Sequence, residues 1–355
     1  MMKKVRFGLV GCGFISPNHA WSISVLEDAE LVAVMDIKEK AARKMGERFK
    51  VDWYTDYDSL LKRKDIDAIA IATPSGLHAE LGIKAAQMGK HVIVEKPIAT
   101  TLEQANSLIV ECKKRKVKLA AIFQERFNAA SQQLKKAADE GRFGVKFLGS
   151  AYMKWYRLQE YYDASDGWRG TWKYDGGGSL INQSIHTIDQ LQWIMGPVRR
   201  VHGRIAVRAH RIETEDVGVA TLEFENGAFG VIEGTTSAYP GLFTRLEICG
   251  DKGAAVIENR VIKTWKFVEK REDDPKEQKV PEGETSAGHG SNIGLVEIDP
   301  IKGGILHKAQ YDDFVRAIKE DRKPLVDGME AKKALEIILA IYRSAQEKRE
   351  IDLPL

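Results

Sequence analysis

The first third of the chain consists of short, almost uninterrupted apolar runs separated by amphipathic stretches, and few folds accommodate that order. Val5 to Val10, Leu31 to Met35, Ala68 to Ala72, His91 to Val94 and Leu119 to Phe123 lack the polar alternation of a half-exposed strand. They read as strands covered on both faces, the condition of a parallel sheet. Between them, Lys38 to Phe49, Leu77 to Met88 and Leu102 to Lys114 carry helical patterns long enough for right-handed crossovers. The expected result is a doubly wound α/β domain over residues 1–124.

Beyond Gln124 the pattern changes to one helix, about Ala129 to Glu140, followed by strands at Val198 to Arg208, Val217 to Phe224, Ala228 to Thr235, Leu242 to Cys249 and Ala254 to Ile257. Asn226-Gly227 is a strong hairpin turn, and Gly250-Asp251-Lys252-Gly253 joins the last two strands. This predicts a second, α+β domain over residues 125–355 with an open, mainly antiparallel sheet. One face of such a sheet needs covering, by helices or by another subunit. Glu269 to Gly294, rich in charge, Gly and Pro, reads as a loop or insertion, and helices over about Lys308 to Glu320 and Glu330 to Glu347 close the chain. A length of 355 residues leaves room for both domains.

Composition excludes more than it identifies. The 54 Lys and Arg against 51 Asp and Glu leave a net charge of +3, too small to point to a nucleic-acid partner. The basic run Lys113-Lys114-Arg115-Lys116-Val117-Lys118 falls where a helix ends, a position that favours cations. Cys12, Cys112 and Cys249 are widely spaced, with no Cys-x-x-Cys, so neither a disulfide framework nor a metal site is expected. No stretch approaches the ~18 apolar residues of a membrane span, and Met1-Met2-Lys3-Lys4 runs straight into a strand, which makes the cytoplasm the parsimonious location.

Directly after the first strand stands Gly11-Cys12-Gly13-Phe14-Ile15-Ser16. The first glycine permits a tight turn, the second lets a pyrophosphate approach the backbone, and the small Ser16 allows the helix to pack on the strand. The helix N-terminus that follows can hold a phosphate. Asp36 ends the second strand, about the ~20 residues on where a ribose-binding carboxylate belongs; it would accept from both ribose hydroxyls and repel a 2′-phosphate, which favours NAD over NADP. Thr73-Pro74, with His78 in the next helix, turns the chain at a C-terminal strand edge, where open α/β sheets bind ligands.

Two further segments carry chemistry. Glu95-Lys96-Pro97 ends the strand His91 to Val94 and brings a carboxylate and an amine to the expected nicotinamide; a cis proline there would aim the preceding side chain. Gly176-Gly177-Gly178-Ser179 opens a helix stopped by Gly196-Pro197. At ~100° per residue, Asn182, His186, Asp189 and Trp193 share one stripe of it, opposite an apolar half. A His with Asn at i−4 and Asp at i+3 suits general acid/base work, because imidazole titrates near neutrality and its neighbours can set its tautomer. Tyr152, Lys154, Tyr156, Trp168, Arg169 and Trp172 lie between these segments and form either a sugar-binding wall or an aromatic core. Arg169 could hold a carboxylate, a phosphate or the cofactor's own pyrophosphate.

With GCGFIS, Asp36, VEKP and GGGSLINQSIHTID in that order, the chain resembles the glucose-fructose oxidoreductase/inositol dehydrogenase/MocA family along essentially its whole length. The resemblance implies an N-terminal Rossmann domain and a C-terminal α/β domain that joins dimers or tetramers through its sheet. It further implies NAD(P)-dependent hydride transfer at a secondary hydroxyl of a sugar or cyclitol. Lys96 matches the lysine that contacts the reacting hydroxyl and the cofactor ribose, and His186 matches the general base. The implied cofactor set is Gly11, Gly13, Phe14, Ile15, Asp36, Thr73, Pro74, His78, Glu95, Lys96, Trp168 and Arg169. The implied substrate set is Lys96, Arg126, Lys154, Tyr156, Trp172, Asn182 and His186. Inositol dehydrogenases carry Asp where Asn182 stands, whereas the WRGTW segment followed by GGGSLINQSIH is similar to members that oxidise nucleotide-linked amino sugars, such as UDP-N-acetylglucosaminuronate 3-dehydrogenases, at C3. Three alternatives stay open: an inositol or free-sugar dehydrogenase, an NAD-dependent glycosidase that recycles its cofactor, and a nucleotide-sensing scaffold without chemistry.

Overall fold

In the computed structural model, which describes residues 4–164, 166–279 and 300–355, the early apolar runs form one parallel sheet. Its strands are β1 (Val5–Val10), β2 (Ala29–Met35), β3 (Asp52–Tyr54), β4 (Ala68–Ile71), β5 (His91–Val94) and β6 (Leu119–Ala121). They lie in the order β3-β2-β1-β4-β5-β6, every neighbouring pair parallel. Phe7, Leu9, Ala68, Ile69 and Ala70 are fully buried, as strands covered on both faces require. Strand order reverses between β1 and β4, so the ligand crevice of this sheet lies outside the carboxyl ends of those strands. β3 was not expected: it is a three-residue edge strand with Asp52 and Trp53 exposed, too short for an apolar-run signal.

The chain divides into two compact units. The first joins everything up to Gln124 with a late segment ending at Lys332; the second begins at Glu125 and resumes at Lys333. A single cut after residue 124 therefore does not describe the late helix Pro300–Lys319. That helix packs in the first unit, with Tyr311 edge-on to Phe7 at 5.6 Å, Phe314 at 6.4 Å from Phe7, and Gly304 closing on Trp21. Its apolar stripe announced burial but not the surface on which it would be buried.

The second unit is built on a sheet of β7 (Lys146–Lys154), β8 (Val198–Ala206), β9 (Val217–Phe224), β10 (Phe229–Thr235), β11 (Phe243–Gly250), β12 (Gly253–Glu258), β13 (Val261–Phe267) and β14 (Ile351–Asp352). The order is β13-β12-β11-β7-β10-β9-β8-β14, with β7 and β10 parallel and the other pairs antiparallel. β7, which no sequence pattern singled out, is a central strand whose Gly149 and Ser150 interrupt the apolar signal. Its buried Ala151 and Met153 face the helix Ile185–Met195 side, Ser184 Oγ reaching Met153 Sδ. The opposite face carries exposed Leu148, Val219 and Phe229. The expected insertion at 269–294 is described only to residue 279, where Arg271 pairs with Glu140 and Trp265 Nε1 donates to Asp274; its remainder lies outside the described residues. Among the described residues, no helix is long and apolar enough to cross a membrane.

Candidate active site

The turn after β1 can be built only with glycine at its first position. Gly11 has φ +92°, and a Cβ there would fall 2.5 Å from the Ala72 carbonyl oxygen. Gly13 is exposed, and a Cβ on it would meet nothing within 4 Å; that open space is what a pyrophosphate needs. Ser16 Oγ donates to the Gly13 carbonyl at 2.6 Å and is buried under the helix. Asp36, half-buried at the end of β2, accepts from the Cys12 N–H and the Lys38 N–H, both at 2.8 Å. A cavity of about 440 Å³ opens beside Gly13 and Phe14, and Lys40, Lys44 and Arg48 line its far side at successive helical turns. An open glycine, a helix start, a ribose-range carboxylate and nearby cations fit a dinucleotide. Gly11, Gly13, Phe14, Ile15 and Asp36 would hold it.

The other predicted cofactor contacts divide. Thr73 and Pro74 are half-buried at the end of β4. His78 is buried, with Nδ1 2.7 Å from the Pro97 carbonyl and Nε2 2.9 Å from the Thr73 carbonyl, so it braces two turns and offers no nitrogen outward. Burial pushes its pKa down, against the two carbonyls. Glu95 is buried, and its Oε2 accepts the Lys96 N–H at 3.0 Å. Lys96 is half-buried at the end of β5, and the Lys96–Pro97 peptide is cis.

In the second unit the glycine-rich turn wraps a buried carboxylate that the sequence reading did not identify. Glu215 accepts from the Gly178 N–H (2.9 Å), the Leu180 N–H (2.8 Å) and the Tyr342 hydroxyl (2.9 Å). A Cβ on Gly178 would lie 1.8 Å from the Glu215 carbonyl oxygen, which explains the glycine. Burial raises the Glu215 carboxyl to about 7, against these three donors. Next comes a π-helical turn, Ser179–Ser184, and then the α-helix Ile185–Met195; a regular α-helix from Ser179 was expected, and π turns concentrate at functional sites.

His186 is half-buried on the first turn of that helix. Asn182 is buried and donates to Asp175, while its carbonyl accepts from Gln183 Nε2 at 2.8 Å; Gln183 also donates to the Tyr161 hydroxyl at 2.8 Å. Asp175 accepts the Gly170 N–H at 2.9 Å. Asp175, Gln183 and Tyr161 were missed, because nothing in their spacing marks them. Arg169 stacks at 4.5 Å over Tyr161 and 4.8 Å over Trp168. Trp172 is exposed and meets Tyr342 edge-on at 5.3 Å, and Tyr156 meets Tyr239 at 5.2 Å.

Two expected substrate contacts are placed elsewhere. Arg126 is buried, with two 2.7 Å bonds to Asp189, so neither group is presented to a ligand. Lys154 alternates with Met153 on β7 and so leaves by the sheet face away from the helix that bears His186, where it pairs with Glu233 at 2.9 Å. Packing buries Arg126 against Asp189, whereas Lys154, about a third exposed, pairs with Glu233 on the open sheet face.

Residues 5–123 match the model of an oxidoreductase family with an NAD-binding Rossmann fold, and residues 131–256 match the GFO/IDH/MocA C-terminal domain. The chain is similar to the WlbA dehydrogenase of Bordetella pertussis, whose crystal structure holds NADH and UDP-GlcNAcA: 37% identity, 99% of this chain and 100% of that one covered, TM-score 0.87. The WlbA dehydrogenase of Chromobacterium violaceum, solved with the same two ligands, is 34% identical over 99% and 97%, TM-score 0.87. The myo-inositol 2-dehydrogenase of Thermotoga maritima is 28% identical over 98% of each chain. Matched in both of its units and along its length, the chain belongs to the GFO/IDH/MocA family of NAD-dependent oxidoreductases.

Proposed function

We propose that this enzyme oxidises a secondary hydroxyl, at C3, of a UDP-linked N-acetyl amino sugar bearing a C6 carboxylate. The observation that carries this reading is the 37% identity, over 99% of the chain, to a dehydrogenase crystallised with UDP-GlcNAcA. The Arg169 guanidinium, stacked on Tyr161 and Trp168, adds a preorganised cation of the kind that binds a carboxylate or phosphate. Asn182, hydrogen-bonded to Asp175, departs from the aspartate of inositol dehydrogenases and weighs against myo-inositol.

Bound NAD supplies the hydride acceptor. The chain's own part is proton handling and charge. The Lys96 ammonium positions the reacting oxygen and stabilises negative charge as it develops. His186 takes the hydroxyl proton on a ring nitrogen, as a general base. Trp172 and Tyr156 complete the proposed sugar contacts. The same reading includes a homodimer or homotetramer, supported by the exposed Leu148, Val219 and Phe229 on the open sheet face.

The test is appearance of reduced nicotinamide when the purified enzyme meets NAD and UDP-N-acetyl sugars with and without the carboxylate, alongside myo-inositol, scyllo-inositol and simple hexoses. Turnover confined to an inositol or a free sugar would overturn the substrate. Lys96→Ala and His186→Ala should each lower kcat by about 10²–10⁴-fold with NAD still bound.

A further inference from the structure

Lys96 lies between two residues that are each pinned from below, and the pins are groups the reading above does not use. Before it, the buried Glu95 carboxylate accepts at Oε1 from His19 Nε2 (2.9 Å) and faces His307 Nε2 (3.5 Å), while Oε2 accepts the Lys96 N–H at 3.0 Å. His19 Nδ1 meets the Tyr311 hydroxyl at 2.8 Å. After it, the Pro97 carbonyl is held by His78 Nδ1. His19, His307 and Tyr311 are all buried.

His307 and Tyr311 belong to the late helix Pro300–Lys319 and share one face of it with Gln310. Gln310 accepts the Phe123 N–H (2.9 Å) and donates to the Ala121 carbonyl (2.6 Å). This helix face thus holds the carboxyl-end residues of β5 and β6 together, at the edge where ligands bind in sheets of this order.

We infer that His19, His307 and Tyr311 are positioning residues for Lys96, acting through Glu95, and that the late helix is thereby part of the catalytic apparatus. The inference rests on Lys96 being catalytic. Burial alone would push the Glu95 carboxyl up; hydrogen bonds and charge from the two histidines outweigh it and hold the group well below the ordinary carboxylate range. An ionised carboxylate accepts the Lys96 N–H roughly twice as strongly as a neutral one would, which fixes the main chain at the residue whose amine must meet the substrate. Both Glu95 oxygens have partners within the protein, Oε1 toward His19 and Oε2 toward the Lys96 N–H, and this is what makes the carboxylate a brace. The ligand-capable atoms of His19, Glu95 and His307 all lie within 4.8 Å of one another, a spacing a divalent cation could also use. The 2.9 Å contact and the Tyr311 partner on the other ring nitrogen are instead those of a hydrogen-bonded chain.

The test uses the full-length enzyme and five variants: Glu95→Gln, His307→Gln, His307→Ala, Tyr311→Phe and Lys96→Ala. NADH affinity is read by fluorescence, and kcat and KM are measured with NAD and UDP-GlcNAcA, the substrate proposed above. We expect NADH affinity within about threefold of the parent in Glu95→Gln, in both His307 variants and in Tyr311→Phe, whose side chains are turned into the fold, and a larger loss only in Lys96→Ala, which also removes the expected ribose contact. Glu95→Gln should lower kcat about 10²-fold and Tyr311→Phe about 10-fold, at nearly constant KM, as expected when a reacting group is misplaced. His307→Gln, which keeps a donor toward Glu95, should retain more kcat than His307→Ala. If Glu95→Gln does not fold, Tyr311→Phe decides. Unchanged kcat in Glu95→Gln and Tyr311→Phe beside an inactive Lys96→Ala overturns the inference alone. Full turnover by Lys96→Ala overturns the reading beneath it as well. Lost NADH affinity in folded Glu95→Gln, or stoichiometric metal in the purified parent, overturns the brace.

Discussion

Arg126 and Asp189 are joined by two parallel hydrogen bonds of 2.7 Å, with side chains 0% and 1% exposed. Arg126 also lies 5.0 Å from the Trp193 ring. The pair ties the segment after Gln124 to the helix that carries His186. Breaking a buried pair leaves an uncompensated charge, so Asp189→Asn should cost about 3–5 kcal/mol, whereas replacing both partners with apolar residues of similar volume should cost far less. A double-mutant cycle in urea unfolding checks this.

Gly11 and Gly13 should separate folding from binding. Gly11→Ala forces a Cβ to 2.5 Å from the Ala72 carbonyl oxygen at a positive φ; we expect a loss of more than about 2 kcal/mol of stability. Gly13→Ala meets no protein atom within 4 Å, so stability should change by less than about 0.5 kcal/mol. NAD affinity should still fall at least about tenfold, since the methyl group occupies the pyrophosphate's approach. Thermal unfolding and a cofactor titration on the same samples distinguish the two.

Cofactor choice should turn on Asp36. Its carboxylate accepts from the Cys12 and Lys38 N–H groups, and Lys38 and Lys40 line the adjoining cavity. Asp36→Ser removes the repulsion of a 2′-phosphate and leaves those cations in place, so the NADP to NAD ratio of kcat/KM should rise at least about tenfold. Steady-state kinetics with both cofactors measures it.

Glu215 makes stability depend on pH. Its carboxyl is raised from 4.5 to about 7, chiefly by burial, so the folded chain keeps a proton that the unfolded chain releases. Its contribution is complete below about pH 4.5 and declines as pH rises through about 7. A shift of about 2.5 units corresponds to about 3 kcal/mol. Glu215→Gln should lose that slope: the difference in unfolding free energy between parent and variant should change by about this amount from pH 4.5 to 8, as read from urea titrations. Parallel profiles would show that the three donors keep Glu215 ionised throughout.

Local patterns made the first sheet, its glycine turn and the placement of Lys96 legible, because strands buried on both faces must be apolar throughout and the turn permits few residues. β7 and β3 were not legible: one is interrupted by Gly149 and Ser150, the other is a three-residue, mostly exposed edge. The regular helix expected after Ser179 begins as a π turn around Asn182, because the chain there must also wrap Glu215.

The sequence by itself determined the nucleotide-binding half, the α+β character of the rest and the residue types available for proton transfer, since these follow from periodicity and backbone sterics over a few neighbouring residues. Tertiary structure alone decided which charges are available. It committed the buried Arg126 to Asp189, and it brought His307 and Tyr311 from the far end of the chain to Glu95 and its partner His19. The physical reason is that a charge in water needs no partner, whereas a buried one must find its partner wherever packing allows, and sequence distance does not enter that energy.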